Sequence, residues 1–294
     1  MTETLRTVDG HGVLRIERTL THPVDKVWRA LTEPAHLSRW FPSAMEIDLR
    51  AGGTVHFVFP GGEAPPMDGT ITDLDPPRVF AYTWGDDHLH WELRPSTEGS
   101  LLIFTHTFGD RAGAASFAAG WEVCIDALDM VLNGRPVEFS KDMNALHEHY
   151  IDKFGLAEGS AEVTDDGWRV RFERQLTRPV ETIWGLLTAP GPQAPAAGAQ
   201  PPHGCTCAEV PAGTITEVHA PRLLEYEWRD GGRPVGRVRW ELTQGTGHGA
   251  RLMLTQTGPS ELAQARSTAL TAWQAGIELL AATLLTPLGA VPPT

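Results

Sequence analysis

The chain carries nearly the same message twice. Residues 14–34 read LRIERTLTHPVDKVWRALTEP and residues 170–190 read VRFERQLTRPVETIWGLLTAP, with 11 of 21 positions identical at an offset of 156. The correspondence resumes downstream. GTITDLDPPRVFAYTW (residues 69–84) matches GTITEVHAPRLLEYEW (213–228), WEL at 91–93 matches WEL at 240–242, and GWEVCIDALDMVL (120–132) matches AWQAGIELLAATL (272–284). Solenoid units repeat every 20–50 residues, roughly, so a period this long is a whole duplicated domain. Eight of the ten tryptophans pair across the repeat, and Trp40 and Trp168 do not. What the second copy has lost is therefore as informative as what both retain.

At 294 residues the chain has room for two domains, each large enough to bury a core without covalent staples. Its three cysteines, Cys124, Cys205 and Cys207, make no disulfide framework and fit a reducing compartment. No N-terminal apolar run resembles a signal peptide, and no run of 18 apolar residues occurs. A soluble cytoplasmic protein without a membrane span is expected. The net charge of −13 is uneven: residues 1–159 carry −11 and residues 160–294 carry −2. Nucleic-acid binding needs basic patches that displace counterions, and neither half has one.

In the first copy, Leu14, Ile16 and Leu20 share a strand face. Pro23 suits a helix start, and Val24, Val27, Trp28 and Leu31 form one apolar stripe ended by Pro34. A short helix fits 35–40. The pattern then changes to period two, with strands expected around Val55–Phe57–Phe59 and over 69–74, 79–84, 89–93 and 101–108. Short turns between them imply an antiparallel meander. A long helix over 115–132 carries Phe117, Trp121, Ile125, Leu128 and Leu132 on its buried side, and Glu122, Asp126 and Asp129 on a face expected to be wet. Residues 141–154 read as a connecting helix and 155–166 as a polar linker. The expected domains are 12–154 and 168–287.

The stretch HPVDKVWRALTEPAHLSRWFP, the GTITDLDPPR strand pair and the THTF strand followed by the GW helix together resemble the SRPBCC superfamily (START-like, Bet v 1-like). Within it they resemble the branch named for the C-terminal domain of the activator of Hsp90 ATPase. The resemblance implies an α+β chain of two tandem helix-grip units, each a curved antiparallel sheet around a long C-terminal helix, often with an apolar ligand cavity. Lipid carriers, polyketide aromatase/cyclases and stress-related proteins share this fold, which does not itself specify function. The second copy departs from the pattern. The offset falls from 156 to 144 between the first two blocks, and residues 191–211, rich in Pro, Ala and Gly, replace the segment 35–59. The second copy thus reads as a degenerate partner for the first, fusion replacing dimerisation.

Any pocket is therefore expected in the first copy. Strand phase turns Leu102, Phe104 and His106 inward, toward Trp121 on the long helix. Trp40, Phe41, Phe57, Phe59, Tyr82, Trp84 and Trp91, with Ile125 on the helix, complete a set able to enclose an apolar or aromatic ligand, His106 supplying the polar anchor. The same residues would equally make a filled core. His88 and His90 alternate with Leu89 and Trp91 and are expected to face outward or toward the strand edge. His203, Cys205 and Cys207 are a weak metal candidate, of suitable residue types but without CxxC spacing or a second ligand pair. No P-loop, dinucleotide fingerprint, nucleophile elbow or HExxH motif is present, so no cofactor is expected. The leading expectation is a non-catalytic module that binds a small hydrophobic or aromatic molecule in the first copy. The alternative is an aromatase/cyclase-like enzyme with His106 as base. A remote third, suggested by the branch name, is a co-chaperone of Hsp90 type.

Overall fold

The structure is a computed structural model in which residues 1–59, 65–138, 140–189, 194–247 and 249–286 are described. Pro190 at the end of the first repeat block, residues 191–193 of the Pro/Ala/Gly segment and residue 287, the expected end of the second domain, lie outside them. The chain divides into two compact units, residues 1–146 and 147–294.

In the first unit, β1 (Thr2–Val8) and β2 (His11–Leu20) form a hairpin. Its central residues Asp9 and Gly10 have φ of 50° and 83°, as a two-residue type I′ turn requires. The expected first domain began at residue 12, so this Asp-Gly signal and β1 lie before it. Then come α1 (Val24–Thr32), α2 (Pro34–Leu37), β3 (Ala44–Ile47), β4 (Thr54–Val58), β5 (Met67–Asp75), β6 (Val79–Trp84), β7 (Asp87–Ser96), β8 (Gly99–Phe108) and α3 (Ala114–Leu132). The eight strands make one antiparallel sheet in the order β1-β2-β8-β7-β6-β5-β4-β3. Helix α3 buries Trp121, Ile125, Leu128 and Leu132, and Trp121 meets Phe104 of β8 at a ring distance of 4.5 Å. Sheet and helix each have one apolar face, and each covers the other. The acidic stripe of α3 is not simply wet. Lys141 pairs with Glu122 and lies 2.6 Å from Asp126, Arg18 lies 3.1 Å from Asp126, and Arg135 lies 3.2 Å from Asp129.

Helix α4 (Met143–Phe154) follows, as expected for a connecting helix. The second unit then has β9 (Ser160–Thr164), β10 (Gly167–Gln175), α5 (Val180–Thr188), β11 (Ala212–His219), β12 (Leu223–Asp230), β13 (Arg233–Gln244), β14 (Ala250–Gly258) and α6 (Ala263–Leu285). Its six-stranded sheet runs β11-β12-β13-β14-β10-β9. Residues 160–164, read as linker, are thus an edge strand paired with β10. They answer to β1 at the same offset of 156, so the duplication is longer than sequence identity alone reveals. Among the described residues, strands β3 and β4 have no counterpart. In their place Gly198 N–H donates to Ile215 O, and Ile215 N–H donates to Ala199 O, so residues 198–199 run beside β11. Residues Ser260–Leu285, with a window of mean hydropathy 1.2, are long and apolar enough to cross a membrane by length and composition. The sequence reading did not single them out. Here Ala269, Trp273, Ile277 and Leu280 of that helix are buried in the core of the second unit.

Trp168 finds its explanation in a cross-strand exchange. Gly12 of β2 faces Phe108 of β8, and a Cβ on Gly12 would lie 2.5 Å from that ring. In the second copy Trp168 of β10 faces Gly258 of β14, where a Cβ would lie 2.3 Å from the indole. Each sheet pairs one aromatic ring with one glycine, on opposite strands in the two copies, because a bare backbone leaves room for the ring to lie across it.

Candidate functional site

A cavity of about 400 Å³ opens beside α3 in the first unit. Phe117, Gly120, Trp121 and Cys124 line it from the helix, and Trp84, Asp87 and His106 from the sheet, with Pro42, Met67 and Ser116 completing the wall. In the second unit, hollows of about 190 and 250 Å³ lie nearer the end of α6, the first walled by Trp240, Trp273, Gly276 and Leu280 among others and the second by Arg178, Leu186 and Leu284 among others. In the second copy the turn His203–Cys205 reaches inward, and the Cys205 carbonyl accepts hydrogen bonds from Tyr226 OH at 2.9 Å and Trp240 Nε1 at 3.1 Å.

The sequence-predicted residues separate into two groups. Trp84, His106 and Trp121 reach the cavity wall. Trp40, Phe41, Phe57, Tyr82, Trp91, Phe104 and Ile125 are buried behind it, and Phe59 stacks on Trp84 with ring centroids 6.2 Å apart. This second group is close-packed: Trp91 and Phe104 approach to 4.1 Å, and Trp91 Nε1–H donates to Tyr82 OH at 3.3 Å. Burial pushes the Tyr82 phenol far above its usual range, so it stays protonated and is no base near neutrality.

His106 is buried on β8, and both of its nitrogens are engaged. Trp121 Nε1 lies 3.1 Å from Nδ1, and Asp87 Oδ2 lies 2.9 Å from Nε2. An indole N–H can only donate, so Nδ1 accepts with its lone pair and the ring proton sits on Nε2, directed at Asp87. A chain Trp121–His106–Asp87 results, its carboxylate end on the cavity wall and 27 % exposed. Sequence reasoning missed Asp87. Its signal was available, since Asp87 lies two residues before Leu89 and so shares the inward phase of Leu89, Trp91 and Leu93. Its position at the first residue of β7 concealed it.

The second copy reproduces half of this chain. Gln256 stands where His106 does, and its Oε1 accepts from Trp273 Nε1 at 2.6 Å. The counterpart of Asp87 is Gly236, which pairs with Trp228 as Asp87 pairs with Trp84. Trp228 Nε1–H turns instead to the carbonyl of Thr257 at 2.6 Å.

Other candidates resolve simply. His88 accepts or donates at 2.7 Å to Thr72 Oγ1, and burial, then the neighbouring His90, lowers its pKa. Burial pushes the thiol of Cys124 up to about 12. Among the described residues no three His, Cys, Asp or Glu side chains form a metal-binding group. His203, Cys205 and Cys207 therefore do not converge: Cys205 is buried, with Sγ 3.9 Å from Leu187 O, and the β-bridge between Cys207 and Val210 directs the backbone onward.

Among solved structures, the chain resembles EF2215 from Enterococcus faecalis at 24% identity over 51% of this chain and 89% of that one, with a TM-score of 0.46. It resembles CalU16 from Micromonospora echinospora at 25% identity over 52% and 94%, with a TM-score of 0.40. It also resembles NE0264 from Nitrosomonas europaea at 26% identity over 42% and 94%, with a TM-score of 0.38. No curated protein matches. The family described as "Activator of Hsp90 ATPase homolog 1-like protein" matches residues 21–133 and 201–285. One matched segment falls in each sheet-and-helix unit, so the chain belongs to the activator of Hsp90 ATPase homolog 1-like family, as two helix-grip units in tandem.

Proposed function

We propose that the first copy binds one small, mostly apolar or aromatic molecule in the cavity beside α3, without transforming it. The observation that carries this is a charged anchor, Asp87, in a mostly apolar wall. The Trp121–His106–Asp87 chain ends in a carboxylate that can accept a hydrogen bond from the ligand and so orient it. A volume of about 400 Å³ suits a small-molecule site. The second copy, with its smaller hollows and neutral Gln256, takes no such ligand. The low cysteine count fits action in the cytoplasm.

A cyclase-like activity is the second reading, and one observation favours it: His106 backs a carboxylate that faces the cavity. The proton acceptor would then be Asp87 rather than His106, because His106 has no nitrogen left for a substrate.

The test uses the neutral dye N-phenyl-1-naphthylamine on the full chain. One dye per chain should bind, and Gly120→Phe, which places a ring in the cavity, should abolish binding. Undiminished binding in that variant would show that the cavity is not the site.

A further inference from the structure

We infer that the cavity of the first copy is built for an organic cation, an amine or quaternary ammonium group on a small apolar or aromatic body. This rests on the reading that the cavity binds a ligand, and deepens it to a chemical class.

The first argument is charge. Asp87 is the one charged side chain among the described residues of the cavity wall. Trp121 holds the lone pair of Nδ1, so the imidazole in this arrangement is an uncharged donor to Asp87. The carboxylate lies beside a mostly apolar hollow, and Asp86 next to it in the β6–β7 turn adds another acid. A negative charge at the edge of a low-dielectric cavity disfavours anions and rewards a cation.

The second argument is the wall itself. The rings of Trp84, Phe117 and Trp121 line the same cavity as the carboxylate, and Trp84 and Trp121 meet nearly edge to face, at 77° with centroids 5.7 Å apart. Aromatic rings beside a carboxylate are what an ammonium group recognises, through the negative faces of the rings and the ion pair together.

The third argument is an internal control. The second copy keeps the sheet, the helix and the buried indole donor, yet has Gly236 and Gln256 where the first has Asp87 and His106. The fold therefore forms without the acid, and the acid in the first copy is an addition to the frame rather than a requirement of it.

Three soluble probes with one body and different heads separate the possibilities: 2-phenylethylammonium, 2-phenylethanol and 3-phenylpropionate, each competing with N-phenyl-1-naphthylamine on the full chain. The cation should compete at least about tenfold better than the alcohol, and the carboxylate should compete worst. Asp87→Asn should bring the cation down to the alcohol, and Asp87→Gly, the residue of the second copy, should do the same if the amide variant folds poorly. His106→Gln keeps the carboxylate and an acceptor for Trp121, and should retain the preference for the cation. If the alcohol competes as well as the cation, or if bound dye is displaced by none of the three, the cation assignment is wrong and the binding site stands. If the dye does not bind in the cavity at all, both readings fall.

Discussion

Gly120 offers a direct way to ask whether the cavity is kept open at a cost. It lies within the 19-residue helix α3, where glycine is about 0.5–1 kcal/mol less stable than alanine because of its backbone entropy. Close packing does not demand it: a Cβ built there meets nothing within 4 Å, apart from the helix's own backbone. Gly69 contrasts, since a Cβ there would lie 2.0 Å from Thr83 O. What lies in front of Gly120 is the cavity. Gly120→Ala should therefore stabilise the chain by about 0.5–1 kcal/mol, a rise in Tm of about 1–4 °C for a unit of this size, with dye binding retained. Gly120→Phe should also keep or raise stability, because the ring occupies existing space and buries apolar surface, but should lose the dye. Urea denaturation and dye titration on the same preparations measure both. A destabilised Gly120→Ala would mean the glycine serves the packing of the helix, and the reasoning from open space would be refuted.

Other expectations follow from the comparison of the two copies. His106→Leu leaves the buried Trp121 N–H without an acceptor and should cost about 1–3 kcal/mol, whereas His106→Gln, which imitates Gln256, should recover most of that loss in the same denaturation assay. Trp168→Ala should cost about 3–5 kcal/mol through the cavity it leaves over Gly258; a loss below 1 kcal/mol, roughly, would show that the ring is not packed there. Burial raises the thiols of Cys124 and Cys205 to about 12 and that of Cys207 to about 11. The folded chain then holds protons that the unfolded chain releases near its ordinary thiol value. The stability they contribute is complete below about pH 8.5 and is lost as pH rises toward those raised values. Under reducing conditions the urea midpoint should fall from pH 8.5 to 10.5, and less steeply in Cys124→Ala; equal slopes would remove that thiol from the account.

Much of this protein is written in local patterns. The repeat, the tryptophan pairs and the stripe Trp121–Ile125–Leu128 identify two helix-grip units, because strand and helix periods depend only on residues a few positions apart. The same phase arithmetic turned His106 inward, and the fall in repeat offset showed that the second copy lacks the counterpart of residues 35–59. It could have yielded Asp87, Asp9–Gly10 and the strand at 160–164, where short or terminal segments gave the pattern too few residues to speak. What no local pattern contains is the space between sheet and helix. Trp91 and Phe104 close on each other at 4.1 Å, while Trp84, Phe117 and Trp121 stand around a hollow of about 400 Å³, and all five read alike as apolar, inward residues. Whether inward residues fill or enclose a volume depends on the separation of whole elements and on every other side chain between them. The union of Trp121, His106 and Asp87 belongs to the same level. Helix, central strand and hairpin end contribute one residue each, and only the folded sheet against its helix brings the three within hydrogen-bonding distance.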